Sequence, residues 1–330
     1  MRLVVDSAIP YARPYAERLG TCSFLPASEI TADVVRDADA LVIRTRTRCD
    51  ASLLEGSRVQ FIATATIGYD HLDTEYLKSR GIAWANCPGC NAAAVRQYVE
   101  CSLVQLEKSG YVSLSADITL GIVGVGHVGT LVEQMGRELG LRVLCCDTPR
   151  EDRGEAGFVS LETIIRESDI ITFHVPLNPD GKYATYHMAD SGFFQHVQES
   201  GRRPVLINCS RGEVVETESL IRALDLGIVR AAVIDTWEDE PNISRELLEK
   251  AFIATPHIAG YSLEGKLRAT QMAFAALAEH FGISLEAPEV LLPPAPSPSV
   301  PYNPLDDTSR LRSAPDSFET MRSNYPLRRE

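Results

Sequence analysis

The fold follows from one segment of the chain, Thr119-Leu120-Gly121-Ile122-Val123-Gly124-Val125-Gly126-His127-Val128-Gly129. Its apolar residues predict a strand, and its spaced glycines predict a tight turn that opens a helix. Glycine permits the turn, a close approach of backbone to a pyrophosphate and close helix packing, while a helix N-terminus favours negative phosphates. The segment therefore indicates a dinucleotide-binding α/β unit, with Gly124, Gly126, His127, Val128 and Gly129 at the cofactor.

An acidic residue supports this interpretation. The next predicted strand, residues 142–146, ends at Asp147, about 20 residues after the glycines, where a carboxylate can accept from an adenosine ribose hydroxyl. Such a carboxylate repels a 2′-phosphate, so NAD is expected rather than NADP, although Arg150 and Arg153 could accommodate that phosphate. The alternative is a glycine-rich turn with Asp147 as a surface cap.

On either side of this segment, short apolar runs alternate with helical spacing, as in βαβ units. Strands are expected at 3–5, 40–43, 61–64 and 82–84, then at 119–123, 142–146, 170–174, 205–208, 232–235 and 252–254, with helices at 73–80, 92–108 and 263–281. We expect an α/β protein of two Rossmann-like, doubly wound lobes with parallel sheets and a cleft between them. The expected domains are 1–97 with 265–285 (flavodoxin-like, substrate-binding), 98–264 (NAD-binding), and 286–330 (a proline-rich linker and a shortened C-terminal segment).

Composition excludes several classes of protein. The 330 residues are 45% hydrophobic and 23% charged, which is ordinary globular material. The net charge of −13 argues against broad nucleic-acid binding, and no apolar run is long enough for a membrane span. The start has no signal-peptide pattern, so a cytoplasmic location and eight reduced cysteines are expected.

Three residues, each of which follows a predicted strand, indicate a type of reaction. Arg211 presents a planar fork that can hold a carboxylate, and His257 is a natural proton carrier near neutral pH. Glu240 can orient the imidazole and stabilise its charged form. These groups are what oxidation of a 2-hydroxy acid needs, and they can converge because ligands collect at the carboxyl ends of parallel strands. The alternative is that Arg211 and Glu240 make surface ion pairs and His257 is a satisfied loop residue.

The chain resembles the D-isomer-specific 2-hydroxyacid dehydrogenases. The resemblance is carried by the glycine segment, Asn208-Cys209-Ser210-Arg211-Gly212, Asp235-Thr236-Trp237-Glu238-Asp239-Glu240-Pro241 and Thr255-Pro256-His257-Ile258-Ala259-Gly260. It implies that Arg211, Glu240 and His257 are catalytic. It also implies a homodimer, although the usual C-terminal dimerisation domain is longer. By the same resemblance, NAD contacts Asp147, Val175, Cys209, Ser210, Arg211, Asp235 and Gly260, and the substrate contacts Thr45, Thr66 and Tyr261. Threonine stands at position 45 where serine is common, and valine at 175 where threonine is common.

A narrower likeness within this family implies a small phosphorylated 2-hydroxy acid as substrate. It is carried by Pro10-Tyr11-Ala12-Arg13, the segment 63–71, Cys87-Pro88-Gly89-Cys90-Asn91-Ala92 and the segment 257–266. The loop Arg44-Thr45-Arg46-Thr47-Arg48 follows a predicted strand and could cradle a phosphate. In extended backbone its three arginines would share one face, so the alternative is a solvated basic edge. The likeness favours Arg44 and Thr45 as the inward members.

The alternatives are a sister enzyme that acts on 3-phosphoglycerate, itself a phosphorylated 2-hydroxy acid, or on glyoxylate/hydroxypyruvate, and an NAD-sensing co-repressor without turnover. Cys87 and Cys90 have no second cysteine pair at zinc spacing, so we expect a structural turn and no metal.

Seven prolines between 288 and 304 predict an extended linker. Phe318, Met321 and Tyr325 could then share a helix face, either docked on a partner subunit or in a frayed tail.

Overall fold

The structure is a computed structural model that describes residues 1–290, 302–326 and 328–330. The chain divides into two compact units. The first unit contains Met1–Asn91, the segment that starts at Ser262, and Arg329–Glu330. The second contains Ala92–Tyr261 and the C-terminal segment, by which we mean residues 302–326 with Arg328. Most of the expected proline-rich linker falls on 291–301, outside the described residues.

The described elements alternate between strand and helix for most of the chain. The strands are β1 (Arg2–Asp6), β2 (Thr21–Leu25), β3 (Ala40–Ile43), β4 (Phe61–Thr64), β5 (Ala83–Ala85), β6 (Thr119–Val123), β7 (Arg142–Cys146), β8 (Ile170–Phe173), β9 (Val205–Asn208), β10 (Ala231–Ile234) and β11 (Ile253–Ala254). The helices are α1 (Ala12–Ala16), α2 (Ala32–Val35), α3 (Ala51–Leu54), α4 (Thr74–Arg80), α5 (Ala92–Lys108), α6 (His127–Glu138), α7 (Thr148–Asp152), α8 (Leu161–Glu167), α9 (Ser191–Glu199), α10 (Thr217–Asp225), α11 (Arg245–Lys250), α12 (Leu263–His280), α13 (Pro304–Ser313) and α14 (Phe318–Ser323). Short 3-10 turns lie at Ala27–Glu29, Gly212–Val214 and Pro315–Ser317.

The first unit is built on a five-stranded parallel sheet in the order β2-β1-β3-β4-β5. Its central strands β3 and β4 are buried along their whole length, as expected where helices cover both faces of a parallel sheet. One face carries a core that includes Phe274 of α12 and Tyr15 of α1. The sequence did not predict β2, because its partly exposed residues lack the continuous apolar run of the buried strands.

The second unit is built on a six-stranded parallel sheet in the order β11-β10-β9-β8-β6-β7. The expectation of two parallel-sheet α/β lobes is therefore confirmed. The strands are in such register that their last residues form one row, in the order Cys146, Val123, Phe173, Asn208, Ile234 and Ala254. Every loop that follows this row starts at the same edge of the sheet.

The C-terminal segment packs against the rest of the second unit. Leu311 of α13 and Phe318 of α14 are buried in the core, with at most 1% of their surface exposed. Thr308 accepts a hydrogen bond from the backbone N–H of Ala254, so α13 covers the edge strand β11. The prediction that Phe318, Met321 and Tyr325 share one helix face is only partly right, because α14 ends at Ser323 and Tyr325 lies beyond it. None of the described helices is both long and apolar enough to cross a membrane.

Candidate active site

The glycine loop lies between β6 and α6, at the row of strand ends. Gly124 has a φ of +90°, and a Cβ there would lie 2.7 Å from the carbonyl oxygen of His174. A Cβ on Gly129 would lie 2.0 Å from the carbonyl oxygen of Gly124. Glycine at position 129 therefore lets α6 pack closer to the loop than a residue with a side chain would. A Cβ on Gly126 would meet no atom within 4 Å. The loop therefore leaves open space beside the N-terminus of α6, which is the arrangement that fits a pyrophosphate.

Asp147 follows β7 and is tied to the glycine loop. Its carboxylate accepts hydrogen bonds from the backbone N–H of Val125 at 2.8 Å and of Arg150 at 3.0 Å. Arg150 donates to the carbonyl of Val125 and forms an ion pair with Glu155, and Arg153 pairs with the same glutamate. Glu155 thus pairs with both of the arginines that could accommodate a 2′-phosphate, whereas the carboxylate of Asp147 accepts only from backbone N–H groups.

The two residues that follow β8, His174 and Val175, lie next to Gly124 of the glycine loop. Val175 packs against the core and approaches Gly124, so it offers apolar contact where threonine is common. Nε2 of His174 lies 2.9 Å from the hydroxyl of Thr172, and Nδ1 is buried with no hydrogen-bond partner among the described residues. Burial lowers the pKa of His174 to about 3, so this imidazole is neutral.

The segments after β9, β10 and β11 are held together by close backbone packing. A Cβ on Gly212 would lie 1.9 Å from the backbone of Trp237, so only glycine lets these two loops meet. The Trp237 indole N–H donates to the carbonyl of Thr255 at 2.9 Å. Asn208 donates to the carbonyl of Arg211 and accepts from both the backbone and the hydroxyl of Ser210. The half-buried Cys209 and Arg211 therefore follow a fixed turn.

His257 and Glu240 form a hydrogen-bonded pair. Nδ1 of His257 lies 2.8 Å and 3.0 Å from the two carboxylate oxygens of Glu240. Burial raises the pKa of Glu240, but the hydrogen bond and charge of His257, the N–H of Trp237 and the charge of Arg322 outweigh burial and lower it. An ionised carboxylate can only accept, so Nδ1 of His257 is the donor in this hydrogen bond. In the neutral imidazole the lone pair then lies on Nε2, which is the atom that can accept a proton.

Asp235 fixes the backbone on either side of His257. Its buried carboxylate accepts from the hydroxyl of Thr255 and from the backbone N–H groups of Ile258 and Ala259. Burial raises the pKa of Asp235, against the opposing charge of His257 and these three donors. The His257 backbone has a φ of +56°, a conformation that costs energy for a non-glycine residue and persists where its surroundings enforce it.

Gly260 and Tyr261 follow this loop directly, and Tyr261 is the last residue of the first part of the second unit. The Tyr261 ring lies edge-on to the ring of Tyr325, with 6.1 Å between centroids. Sequence reasoning assigned no role to the residues that hold this loop from outside. Arg328 donates to the carbonyls of Ile258 and Ala259 and, on α5, to the carbonyl of Ala94. Nothing in the local pattern of the last residues signals this contact, since it depends on how the C-terminal segment packs.

In the first unit, the predicted phosphate loop forms a turn rather than extended backbone. The N–H of Thr47 donates to the carbonyl of Arg44, and the Thr47 side chain is buried. The idea that all three arginines share one face of a strand is therefore wrong. Arg44 is held by the fully buried Asp6 at 3.1 Å, whereas Arg48 is 81% exposed and pairs with Asp50. Thr45 lies exposed at the tip of the turn.

A chain of hydrogen bonds fixes Thr66. The hydroxyl of Thr66 lies 2.7 Å from that of Thr64 and donates to the carbonyl of Gly68 at 2.9 Å. Nε2 of His71 lies 3.0 Å from the Thr64 hydroxyl, and burial lowers the pKa of His71. A neutral imidazole and two hydroxyls thus set the position of the threonine that the resemblance assigns to the substrate.

The cysteines show no reactive site in the described part of the chain. All eight are free thiols, and burial raises the pKa of Cys87 to about 12 and that of Cys90 to about 11. Such thiols are poor nucleophiles near neutral pH. In residues 1–290, 302–326 and 328–330, no three His, Cys, Asp or Glu side chains lie together as metal ligands.

The chain is similar to known proteins of one family. Residues 93–259 match the model of the D-isomer specific 2-hydroxyacid dehydrogenase, NAD binding domain. The chain is 51% identical to an erythronate-4-phosphate dehydrogenase of Bacteroides thetaiotaomicron, with 100% of this chain and 97% of the relative aligned. It is 41% identical to the enzyme of that name from Escherichia coli, with 100% and 87% aligned.

Solved structures share the fold. A D-lactate dehydrogenase from Aquifex aeolicus, in complex with NAD and lactic acid, is similar with a TM-score of 0.66 at 24% identity, over 85% of this chain and 96% of that one. The TT0316 protein from Thermus thermophilus is similar with a TM-score of 0.67 at 26% identity, over 88% and 100% of the two chains.

Proposed function

Because this chain belongs to the D-isomer specific 2-hydroxyacid dehydrogenase family, we propose that it oxidises 4-phospho-D-erythronate to 2-oxo-3-hydroxy-4-phosphobutanoate. The chain is an NAD-dependent dehydrogenase. The identity of the substrate is supported by similarity along the whole chain to proteins named erythronate-4-phosphate dehydrogenase. The reaction belongs to the synthesis of pyridoxal phosphate.

In the proposed reaction two residues act on the acid, and a third supports the base. The hydroxyl at C2 gives its proton to Nε2 of His257 as the C2–H bond breaks and a carbonyl forms. Bound NAD⁺ supplies the acceptor for the hydride. Glu240 stabilises the imidazolium that results, and Arg211 holds the carboxylate through its planar fork. The support for these roles is the hydrogen bond between His257 and Glu240 at the end of β10 and β11, and the fixed turn after β9.

We assign NAD binding to the row of strand ends in the second unit. Gly124, Gly126, His127, Val128 and Gly129 would surround the pyrophosphate, and Asp147 would accept from the adenosine ribose. Val175, Cys209, Ser210, Arg211, Asp235 and Gly260 would lie along the rest of the cofactor. The open space at Gly126 and the carboxylate held at the edge of the glycine loop support this assignment.

For the phosphorylated substrate we assign Arg44, Thr45, Thr66 and Tyr261. Asp6 holds Arg44 in place through one N–H group of the guanidinium, so the remaining N–H groups can still bind a phosphate.

We propose that residues 1–97 and 265–285 form the substrate-binding domain, that 98–264 form the NAD-binding domain, and that 286–330 are a C-terminal extension. We also propose that the chain forms a homodimer in the cytoplasm. Light scattering of the purified chain tests the dimer.

The experiment that tests the substrate compares three acids. The purified chain is incubated with 4-phospho-D-erythronate, 3-phosphoglycerate or glycolate, each with NAD⁺ and with a 2-oxo acid that can reoxidise bound cofactor. We expect the highest kcat/KM with 4-phospho-D-erythronate. A preference for 3-phosphoglycerate or glycolate would assign the chain to a sister enzyme. Cofactor binding without turnover of any acid would favour an NAD-sensing protein instead.

A further inference from the structure

The C-terminal segment brings a third charged side chain to the pair formed by His257 and Glu240. Nη1 of Arg322 lies 3.4 Å from Oε2 of Glu240, the same oxygen that lies 2.8 Å from Nδ1 of His257. The side chains of Arg322 and Glu240 are only 24% and 18% exposed, so solvent and salt screen this contact less than a surface ion pair.

Arg322 is held by the packing of its own helix. Phe318 lies one helical turn before it and is buried, with 1% of its surface exposed, in the core of the second unit. Arg312 at the end of α13 donates to the carbonyls of Leu248 and Ala251 at the end of α11. The segment is therefore attached at several points, and the direction of Arg322 does not depend on its own ion pair alone.

We propose that Arg322 is a positioning residue of the hydride-transfer site, which fixes the Glu240 carboxylate and limits how strongly that carboxylate retains the proton on His257. This inference rests on the roles proposed above for His257 and Glu240.

The geometry gives Arg322 two effects. The backbone N–H of Trp237 donates to Oε1 of Glu240 at 3.0 Å, and Arg322 approaches Oε2, so two groups from different segments fix the plane of the carboxylate. The cation also offsets part of the negative charge of Glu240. A histidine that faces a partly neutralised carboxylate releases its proton more readily, and the oxidation requires a neutral Nε2.

The other charged groups near the pair remain in an Arg322 variant. Asp235 lies at the end of β10 and binds the backbone beyond His257, and Arg328 binds the carbonyls of Ile258 and Ala259. Arg211 follows the adjacent strand β9. Because these groups are unchanged, a shift on substitution of Arg322 reports the Arg322 cation itself.

The test uses Arg322→Gln and Arg322→Lys in the full chain, with Arg245→Gln as the matched control. Arg245 of α11 pairs with Asp316 of the C-terminal segment, and the two side chains are 49% and 95% exposed. For Arg322→Gln we expect the acid limb of the kcat profile to move up by about half a pH unit to one unit. At pH values below the midpoint of that limb, kcat should fall about 3-fold to 10-fold with little change in KM. Arg322→Lys should restore most of the wild-type profile, and Arg245→Gln should match wild type.

A second measurement does not depend on turnover. The His257 imidazole is followed by NMR in histidine-labelled protein, with His257→Gln used to assign its signal. We expect the titration midpoint to move to higher pH in Arg322→Gln. An equal midpoint in wild type and Arg322→Gln, or a loss of thermal stability with an unchanged pH profile, would overturn the inference. If wild type oxidises none of the acids, the proposed function fails, and the NMR titration still decides the effect of Arg322.

Discussion

Nδ1 of His257 lies 2.8 Å from Oε2 of Glu240, although the two residues are 17 positions apart and follow different strands. Ile234 and Ala254, the last residues of β10 and β11, are paired across the sheet, so the loops that carry Glu240 and His257 leave it side by side. Asp235 then fixes the loop in which His257 adopts its positive φ. The sheet register and one buried carboxylate together create the pair.

The first prediction concerns His257 as the base. Replacement by alanine removes the proton acceptor, so kcat should fall about 100-fold or more. The affinity for NAD, measured by fluorescence titration, should stay close to that of wild type, because the glycine loop is unaffected. Turnover equal to wild type would remove His257 from the proposed mechanism.

The second prediction concerns the charge of Glu240. Glu240→Gln keeps the shape but removes the anion that stabilises the imidazolium. The acid limb of the kcat profile should therefore move to lower pH, opposite to the shift expected for Arg322→Gln. We expect kcat to fall about 10-fold to 100-fold. A shift in the same direction as that of Arg322→Gln would contradict an electrostatic role for either residue.

The third prediction separates cofactor binding from folding in the glycine loop. Gly126→Ala adds a Cβ that meets nothing within 4 Å, so the melting temperature should hardly change, while NAD affinity should fall about 10-fold because the Cβ enters the pyrophosphate space. In Gly129→Ala the Cβ would lie 2.0 Å from a carbonyl oxygen, which should cost about 2 to 4 kcal/mol of stability. Full NAD affinity in Gly126→Ala would place the cofactor elsewhere.

The fourth prediction concerns the phosphate of the substrate. Arg44→Ala alone leaves Asp6 buried without its partner, so the test uses the double variant Asp6→Asn/Arg44→Ala. Loss of a charge-assisted contact should raise KM for the phosphorylated acid about 10-fold to 100-fold. Activity on unphosphorylated erythronate should change little. Arg48→Ala is the control, because its exposed side chain pairs with Asp50.

The fifth prediction concerns stability in acid. Burial lowers the pKa of His174 to about 3 and also lowers that of His71. A histidine that is neutral when folded and has a pKa near 6.5 when unfolded stabilises the fold above that value, and this stability is lost as the pH falls below it. His174 should account for a loss of about 2 kcal/mol between pH 7.5 and pH 5.

Urea denaturation at several pH values tests this point. His174→Asn carries no charge at any of these pH values, so its stability should decline less between pH 7.5 and pH 5 than that of wild type. His196→Asn is the control, because His196 is exposed on helix α9. An identical decline in wild type and His174→Asn would show that this imidazole is not kept neutral by the fold.

Local sequence pattern was sufficient for most strands of the fold. Buried parallel strands appear as continuous apolar runs, and β7 and β9 begin and end where the pattern predicted. The helix α5 also has the predicted bounds. The edge strand β2 was missed, because half-exposed residues at an edge carry no such run.

The two α/β units, the glycine turn and the order of Arg211, Glu240 and His257 could all be read from the chain alone, because strand periodicity and glycine spacing are local properties. Three contacts emerged only on folding: Glu240 with His257, Asp6 with Arg44, and Arg322 with Glu240. They join residues 17, 38 and 82 positions apart. These contacts depend on sheet register and on the packing of the C-terminal segment, which no short window of sequence contains.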